Sequence, residues 1–413
     1  MTRLLVDATA LHAADLHPPV SKSDAHRALI LASITGAPPP DLGPQDALPD
    51  DVRVLARGLE TLQAGSADTV VDCADGGAPF RFLLALAATH AGRTTTFTGS
   101  ARLAQRPHGA LRDALERALG ARLEDSAGWP LRVTGGPPRA RLFNVDAEAS
   151  SQFASAMLLA ACRLVVVNGP PYAVRVTHGS TSRGYLEMTL QWARRAGFVV
   201  VVEGDVLSVT GWAPSAVPPA VPPDWSAMGY LLLVSWACGG QVIAPGAASC
   251  EHPDRAILRH VAALGLDVEV TGDVQRVSGH ARGGLHASAA GAPDLVPTLV
   301  ALACTLEAAS TFTDLDVLRH KESDRLSGVV ALARAAGART DLEGDRLVVV
   351  PGATPAGAPV VHCGNDHRMI MAATALACLR RCTVQLDNAF GLAKSFPRFF
   401  SELGGAGVRV QAA

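Results

Sequence analysis

Lysine is almost missing from this sequence. Of 36 basic residues in 413, three are lysines: Lys22, Lys321 and Lys394. A chain this biased toward arginine is expected to keep lysine where a guanidinium cannot serve, because an ammonium is compact and can release its proton. Aromatic residues are also scarce, at 5%, and charged residues reach only 18%. With 48% hydrophobic residues, the core must be built from Ala, Val and Leu, and a disordered chain is excluded. A net charge of −2 leaves no global basic field, which argues against a nucleic-acid partner. Anionic ligands would have to be met by local clusters of charge. No apolar run approaches a membrane span, and the opening MTRLLVDATALHAADLH lacks a charged-then-apolar leader pattern, so a cytoplasmic protein without a membrane partner is expected. The eight cysteines lie mostly in apolar stretches. Cys378 and Cys382 are one helical turn apart without matching His or Cys partners, so reduced thiols are expected and a zinc site is not.

What the chain does have is a repeat. The stretches beginning at Gly120, Gly197, Gly265 and Gly337 each follow an Ala/Leu-rich helical segment and continue as strand, turn, strand. Gly204-Asp205, Gly272-Asp273 and Gly344-Asp345 supply the turns, and Gly128-Trp129 stands there in the first copy. The spacing of roughly 70 residues allows about six units, with weaker copies near Gly65 and at the C-terminal GGAGVRV. Helix and strand inside one unit point to an α/β or α+β fold. At this length two domains are expected. Proline-rich passages at 17–20 and 212–224 look like stiff crossings between them. Residues 1–18 and 224–413 would then form one discontinuous domain and residues 19–223 the other; two consecutive domains with an N-terminal arm fit the prolines equally well.

Polar residues recur ahead of apolar helices. In SKSDAHRALILA, Ser21 or Ser23 can cap a helix whose N-terminus carries Lys22 and Arg27. In DGGAPFRF, Gly76 and Gly77 permit close backbone approach, and Pro79 and Arg81 fall in a first helical turn. Arg106 in QRPHG precedes proline and so sits on extended backbone, free to clamp an anion. Ser150, Ser151 and Gln152 precede FASAMLLAA, and Ser182, Arg183 and Tyr185 precede another helix. Asp294 is placed at a helix cap. Lys321, Glu322 and Arg325 in HKESDR share one helical face, with Glu322 a candidate acid/base. Arg368 in NDHR and Lys394 in KSFP add two cations, while His367 is a donor or a packed side chain.

In order and spacing, SKSDAHRALILAS, DGGAPFRFLLALAA, QRPHGAL, SSQF, SRGYLEMTL, DWSAMGYLL, PDLVPTL, HKESDRL, NDHRMIMAA and KSFP resemble the 5-enolpyruvylshikimate-3-phosphate synthase family over nearly the whole chain. The resemblance implies two similar domains, each of three βαβαββ-like units in an inside-out α/β barrel arrangement. The chain would cross between them twice, with helix N-termini facing the interdomain cleft. It implies transfer of the enolpyruvyl group of phosphoenolpyruvate to the 5-hydroxyl of shikimate 3-phosphate, with release of phosphate. No metal or organic cofactor is required, and a monomer is expected. By resemblance, Lys22 bridges both substrates; Ser23, Arg27, Ser150, Ser151, Gln152, Ser182 and Tyr185 hold shikimate 3-phosphate, Lys321 contacts both ligands, and Asp294 binds and deprotonates the hydroxyl. Gly77, Arg106, Gln152, Lys321, Arg325, Arg368 and Lys394 surround phosphoenolpyruvate, and Glu322 handles the proton at its methylene carbon.

Two departures stand out. Where the family usually has Asn-Ala-Gly-Thr-Ala, this chain has Asp75-Gly76-Gly77-Ala78-Pro79, and Val317 stands where many members have Asn. The loop changes are expected to weaken the donor site or alter its discrimination against analogues such as glyphosate. Two other readings stay open: a non-catalytic or specialised anion-binding relative, and a UDP-N-acetylglucosamine enolpyruvyltransferase, which shares the architecture.

Overall fold

The structure, a computed structural model, describes residues 3–66, 68–125, 129–179, 183–215 and 220–413. Its internal contacts separate two units. The first comprises Met1–Ser21, Gly43–Pro49 and Pro222–Ala413; the second comprises Lys22–Leu42 and Asp50–Val221. The two proline-rich passages run antiparallel beside each other: the Ser21 amide donates to the Pro222 carbonyl at 2.8 Å, and the Asp224 amide to the Pro19 carbonyl at 2.9 Å.

The glycine-punctuated repeats form as hairpins. Phe198–Glu203 pairs with Val206–Trp212, Asp267–Thr271 with Val274–Ser278, and Arg339–Glu343 with Arg346–Val350. Gly204, Gly272 and Gly344 open these turns at φ of 61°, 59° and 61°, which suits a residue without a Cβ. Arg122–Asp125 pairs with Leu131–Thr134 in the first copy, whose Gly128 lies outside the described residues.

Each hairpin completes a four-stranded sheet in βαβαββ order. His286–Ser288 lies parallel to Ser310–Thr313, which is antiparallel to Arg346–Val350, with Arg339–Glu343 at the edge. The N-terminal arm fills gaps in two other sheets of the first unit. Arg3–Asp7 is antiparallel to both Thr383–Asp387 and Arg409–Ala412, and Asp15–Leu16 is parallel to Gln241–Ile243. This explains the weak C-terminal copy: its last strand comes from the other end of the chain.

The α/β class and the βαβαββ order are those expected, but the described residues hold five such sheets instead of six. The sixth place keeps its two helices, Lys22–Thr35 and Asp50–Gln63, joined through Pro38, Pro39, Pro40 and Pro44. Proline cannot donate to a strand ladder, so no strand forms there. The weak copy near Gly65 leads instead into Asp68–Asp72, the first strand of the next sheet.

Each unit has its own core, rich in Ala, Leu and Val. The helix Ser151–Asn168 is, against expectation, long and apolar enough to cross a membrane by length and composition. Most of it is buried among the helices and sheets of the second unit, so its apolar length serves the core. All eight cysteines are free thiols, and burial pushes Cys304 and Cys378 up to about 12.

Candidate active site

In the second unit, polar residues gather at five helix N-termini. The first helix begins at Lys22, directly after Ser21, so Ser23 lies inside its first turn. Lys22 Nζ is 2.9 Å from Asp51 Oδ2, at the start of Asp50–Gln63, with side-chain exposures of 12% and 7%. Arg27 is buried and committed to the protein. Its Nε donates to Thr189 Oγ1 at 2.8 Å, Nη1 to the Ser23 carbonyl at 2.7 Å and Nη2 to the Tyr185 carbonyl at 2.8 Å. Burial pushes its pKa down to about 10, which leaves it charged at neutral pH. Tyr185 lies in the first turn of Arg183–Arg195, not ahead of that helix. Ser182 lies outside the described residues.

The glycine loop leads into Gly77–Ala88, with Gly76 as its N-cap and Pro79 in the first turn. Arg106 has the extended backbone expected before proline, φ −71° and ψ 152°, and is largely buried. Its guanidinium lies against Gly77: a methyl group added there would stand 2.2 Å from Arg106 Nη1. The glycine therefore makes room for this arginine. Asp75, new relative to the family pattern, is exposed.

Arg81 is a residue whose importance the sequence hid. It is 2% exposed, stacks over Phe153 and donates to Gln152 Oε1 at 2.7 Å and to the Pro107 carbonyl at 2.9 Å. It thus ties together the glycine loop helix, the Arg106 loop and the Ser-Ser-Gln segment. Because arginine only donates, it occupies the Gln152 side-chain carbonyl and so fixes which end of that amide is the oxygen. Ser150 is the N-cap of Ser151–Asn168, accepting from the Gln152 amide, and Ser151 is buried.

The first unit gathers the remaining candidates around Asp294. This residue does not cap a helix. It lies in the short turn Pro293–Leu295, and its carboxylate faces three cations: Arg325 Nη1 at 2.8 Å, Arg368 Nη2 at 3.0 Å and Lys321 Nζ at 3.3 Å. Burial alone would raise its pKa, but Arg368, Lys321 and Arg325 outweigh it and hold the carboxyl well below the usual carboxylate range. Lys321 and Arg325 do not share a helix either. Lys321 is extended, at φ −87° and ψ −162°, and the helix starts only at Arg325. The break places Glu322 between two cations, 2.7 Å from Arg325 Nη2 and 3.7 Å from Lys394 Nζ.

Arg325 is anchored from behind by Asp366, the N-cap of His367–Arg380. That carboxylate is fully buried and accepts from Arg325 Nε at 2.8 Å, Ser323 Oγ at 2.9 Å and the Arg368 amide at 2.9 Å. Burial would lower the Arg325 pKa, yet Asp366, Glu322 and Asp294 together hold it above its ordinary value. Sequence reading passed over Asp366; its place before the apolar run MIMAATALA marked a cap but not an anchor. His367 is packed at 1% exposure, and Val317 packs against the core.

All three lysines are thus mostly buried, and each faces a carboxylate: Lys22 with Asp51, Lys321 with Asp294, Lys394 with Glu322. None is a solvated surface charge. No cluster of metal-binding side chains occurs among the described residues.

The model of the EPSP synthase (3-phosphoshikimate 1-carboxyvinyltransferase) family matches residues 41–403. The chain is 34% identical to the 3-phosphoshikimate 1-carboxyvinyltransferase of Methanopyrus kandleri, with 95% of each chain covered. It is 30% identical to that of Halobacterium salinarum, covering 94% of this chain and 95% of the relative. Among solved structures, EPSP synthase from Acinetobacter baumannii superposes with a TM-score of 0.73 at 18% identity, covering all of both chains. The enolpyruvyl transferase NikO from Streptomyces tendae gives 0.71 at 16%, covering 100% of this chain and 99% of that one. These similarities agree with the motifs and the sheet order, and this chain belongs to the EPSP synthase family.

Proposed function

We propose that this protein transfers the enolpyruvyl group of phosphoenolpyruvate to the 5-hydroxyl of shikimate 3-phosphate and releases phosphate, a step of aromatic amino-acid biosynthesis. The observation that carries this reading is Asp294, an ionised carboxylate held by Arg368, Lys321 and Arg325, beside Glu322 between Arg325 and Lys394. An acid/base pair embedded in cations is what addition to an anionic enol phosphate, followed by elimination of phosphate, needs.

The roles divide as follows. Ser23, Arg27, Ser150, Ser151, Gln152, Ser182 and Tyr185 hold shikimate 3-phosphate; Arg27 does so partly by fixing the Ser23 and Tyr185 backbones. Lys22 and Lys321 serve both ligands. Gly77, Arg106, Gln152, Arg325, Arg368 and Lys394 meet phosphoenolpyruvate. Acceptor binding belongs to residues 19–223 and the acid/base groups to residues 224–413, grouped with 1–18. Glu322 gives a proton to the methylene carbon. The neighbouring carbon becomes electrophilic, and the 5-hydroxyl adds there as Asp294 takes its proton. The resulting ketal phosphate expels phosphate while Glu322 removes a proton from the new methyl group, restoring the double bond. One carbon–oxygen bond forms, one breaks, and the hydroxyl proton leaves with the phosphate.

The resting ion pairs suit this sequence of events. While three cations surround it, Asp294 is charged but weakly basic. Substrate phosphate and carboxylate groups compete for Arg368 and Lys321, and losing them makes Asp294 a stronger base. Arg325, pinned by Asp366, stays. The protein is expected to work as a cytoplasmic monomer, with no nucleic-acid or membrane partner and no cofactor. Phosphate release with both substrates, and with each omitted, tests the reading. Glu322→Ala and Lys22→Ala should each reduce turnover by about 100-fold or more. Absence of release by the unmodified protein would refute it.

A further inference from the structure

Asp51 falls in none of the roles above, yet its position is constrained from three sides. It stands in the first turn of Asp50–Gln63, where a negative side chain is favoured by the helix dipole. Its Oδ2 is 2.9 Å from Lys22 Nζ at the head of Lys22–Thr35. Its Oδ1 comes so close to Gly76 that an added β-carbon there would lie 3.2 Å away. One carboxylate therefore touches the lysine helix and the glycine loop together, and it is 5% exposed. Three neighbouring side chains have settled states of their own. His26 is buried and pushed down to about 3, so it is neutral, and Arg27 donates to Ser23, Tyr185 and Thr189. Cys73 stays a thiol, its pKa raised by burial.

We propose that Asp51 is a positioning residue for Lys22, a built-in counter-ion that arriving substrate anions must displace. This rests on the enolpyruvyl-transfer reading, in which Lys22 serves both substrates. The physical consequence is a trade of affinity for turnover. A counter-ion weakens ground-state binding of phosphoenolpyruvate, because part of the Lys22 attraction is already spent. It also holds the ammonium at one point, so that the attraction grows as charge develops in the transition state. An interaction that loosens the ground state and not the transition state raises kcat. The choice of lysine fits: a point charge can pivot between Asp51 and a ligand, whereas a planar guanidinium would lock onto the carboxylate with two bonds.

The test is Asp51→Asn, which keeps shape and removes charge. Calorimetric titration of phosphoenolpyruvate alone, without shikimate 3-phosphate so that no transfer can occur, should show tighter binding by roughly three- to tenfold, while kcat, measured separately with both substrates, falls by about tenfold or more. A carboxylate with only a structural role would give the reverse: weaker or unchanged binding with a proportionate loss of folded protein by circular dichroism. Any result in which affinity fails to rise overturns the proposal, as does a gain in affinity with kcat unchanged. If the Asn variant does not fold, Asp51→Glu decides. It retains the charge, so its affinity should stay within about twofold of the unmodified protein while kcat falls, and a clear gain in affinity would contradict the counter-ion role. The binding arm needs no turnover. Lack of phosphate release by the unmodified protein would therefore sink the transfer reading separately from this one.

Discussion

Arg325 Nε lies 2.8 Å from Asp366 Oδ2, with side-chain exposures of 1% and 0%. The pair carries the candidate site on its outer side, because the same guanidinium reaches Asp294 and Glu322. Removing one partner of a buried pair costs about 3–5 kcal/mol where the other charge is left uncompensated. Arg325 keeps Asp294 and Glu322, so Asp366→Ala should lose up to about 3 kcal/mol in urea unfolding. Asp366→Asn keeps the cap to the Arg368 amide and should lose less, while both should lower kcat through misplacement of Arg325. A stable, fully active Asp366→Ala would show that Arg325 needs no rear anchor.

Gly77→Ala puts a methyl group 2.2 Å from Arg106 Nη1 and 2.6 Å from Cζ. The obstacle is the far end of a flexible side chain, so the fold should survive with little change in melting temperature. Arg106 must move, however, and its ligand geometry with it. The expected outcome is a rise of about tenfold in KM for phosphoenolpyruvate, with KM for shikimate 3-phosphate nearly unchanged. Equal losses for both substrates would place Arg106 elsewhere in the reaction.

The residues that could be read in advance were those tied to local chemistry. Gly-Asp turns flanked by alternating strands gave the hairpins, and proline after Arg106 gave its extended backbone. Long-range events left no local mark. The arm Arg3–Asp7 completing a sheet with Thr383–Asp387 and Arg409–Ala412 is a pairing across most of the chain. Arg81 and Asp366 looked like ordinary helix-start residues because their partners, Gln152 and Arg325, are 71 and 41 positions away. Lys321 and Arg325 looked helical by spacing, but Asp324 caps the helix at Arg325 and leaves Lys321 extended. The scarcity of lysine was informative because it concerned composition, which no local structure disguises.

Gly76 and Pro79 are coupled. A β-carbon at Gly76 would lie 2.9 Å from Pro79 Cγ and 3.0 Å from the Cys73 carbonyl. Where the usual family pattern has alanine at both places, this chain has a proline ring filling the space of a methyl group. Gly76→Ala alone should therefore destabilise, and Gly76→Ala with Pro79→Ala should recover much of the loss. Residues in direct contact typically show coupling of about 0.5–3 kcal/mol, and a double-mutant cycle in urea reads it directly. Strict additivity would mean that the loop relaxes around the methyl group. Because this loop also carries Asp75, glyphosate inhibition should differ from that of relatives with Asn-Ala-Gly-Thr-Ala, and steady-state inhibition measures it.

Asp254 and Asp294 should act oppositely on stability as pH changes. Asp254 is fully buried; Ser226 Oγ is 2.5 Å from its Oδ2, and its Oδ1 has no hydrogen-bond partner among the described residues. Burial pushes its pKa up, and nearby His252 and Arg368 do not compensate. A carboxyl whose folded pKa exceeds its unfolded value of 3.8 adds no penalty below 3.8 and destabilises progressively as pH rises through the folded value. Asp294, held low by its cations, contributes stability above 3.8 that is lost as pH falls through its folded value. Asp254→Asn removes the first effect and leaves the second. Its melting temperature should exceed that of the unmodified protein at pH 8, and the gap should close toward pH 4. Melts recorded across that range decide the matter, since a variant less stable at pH 8 would mean that Asp254 is ionised and paired in the fold.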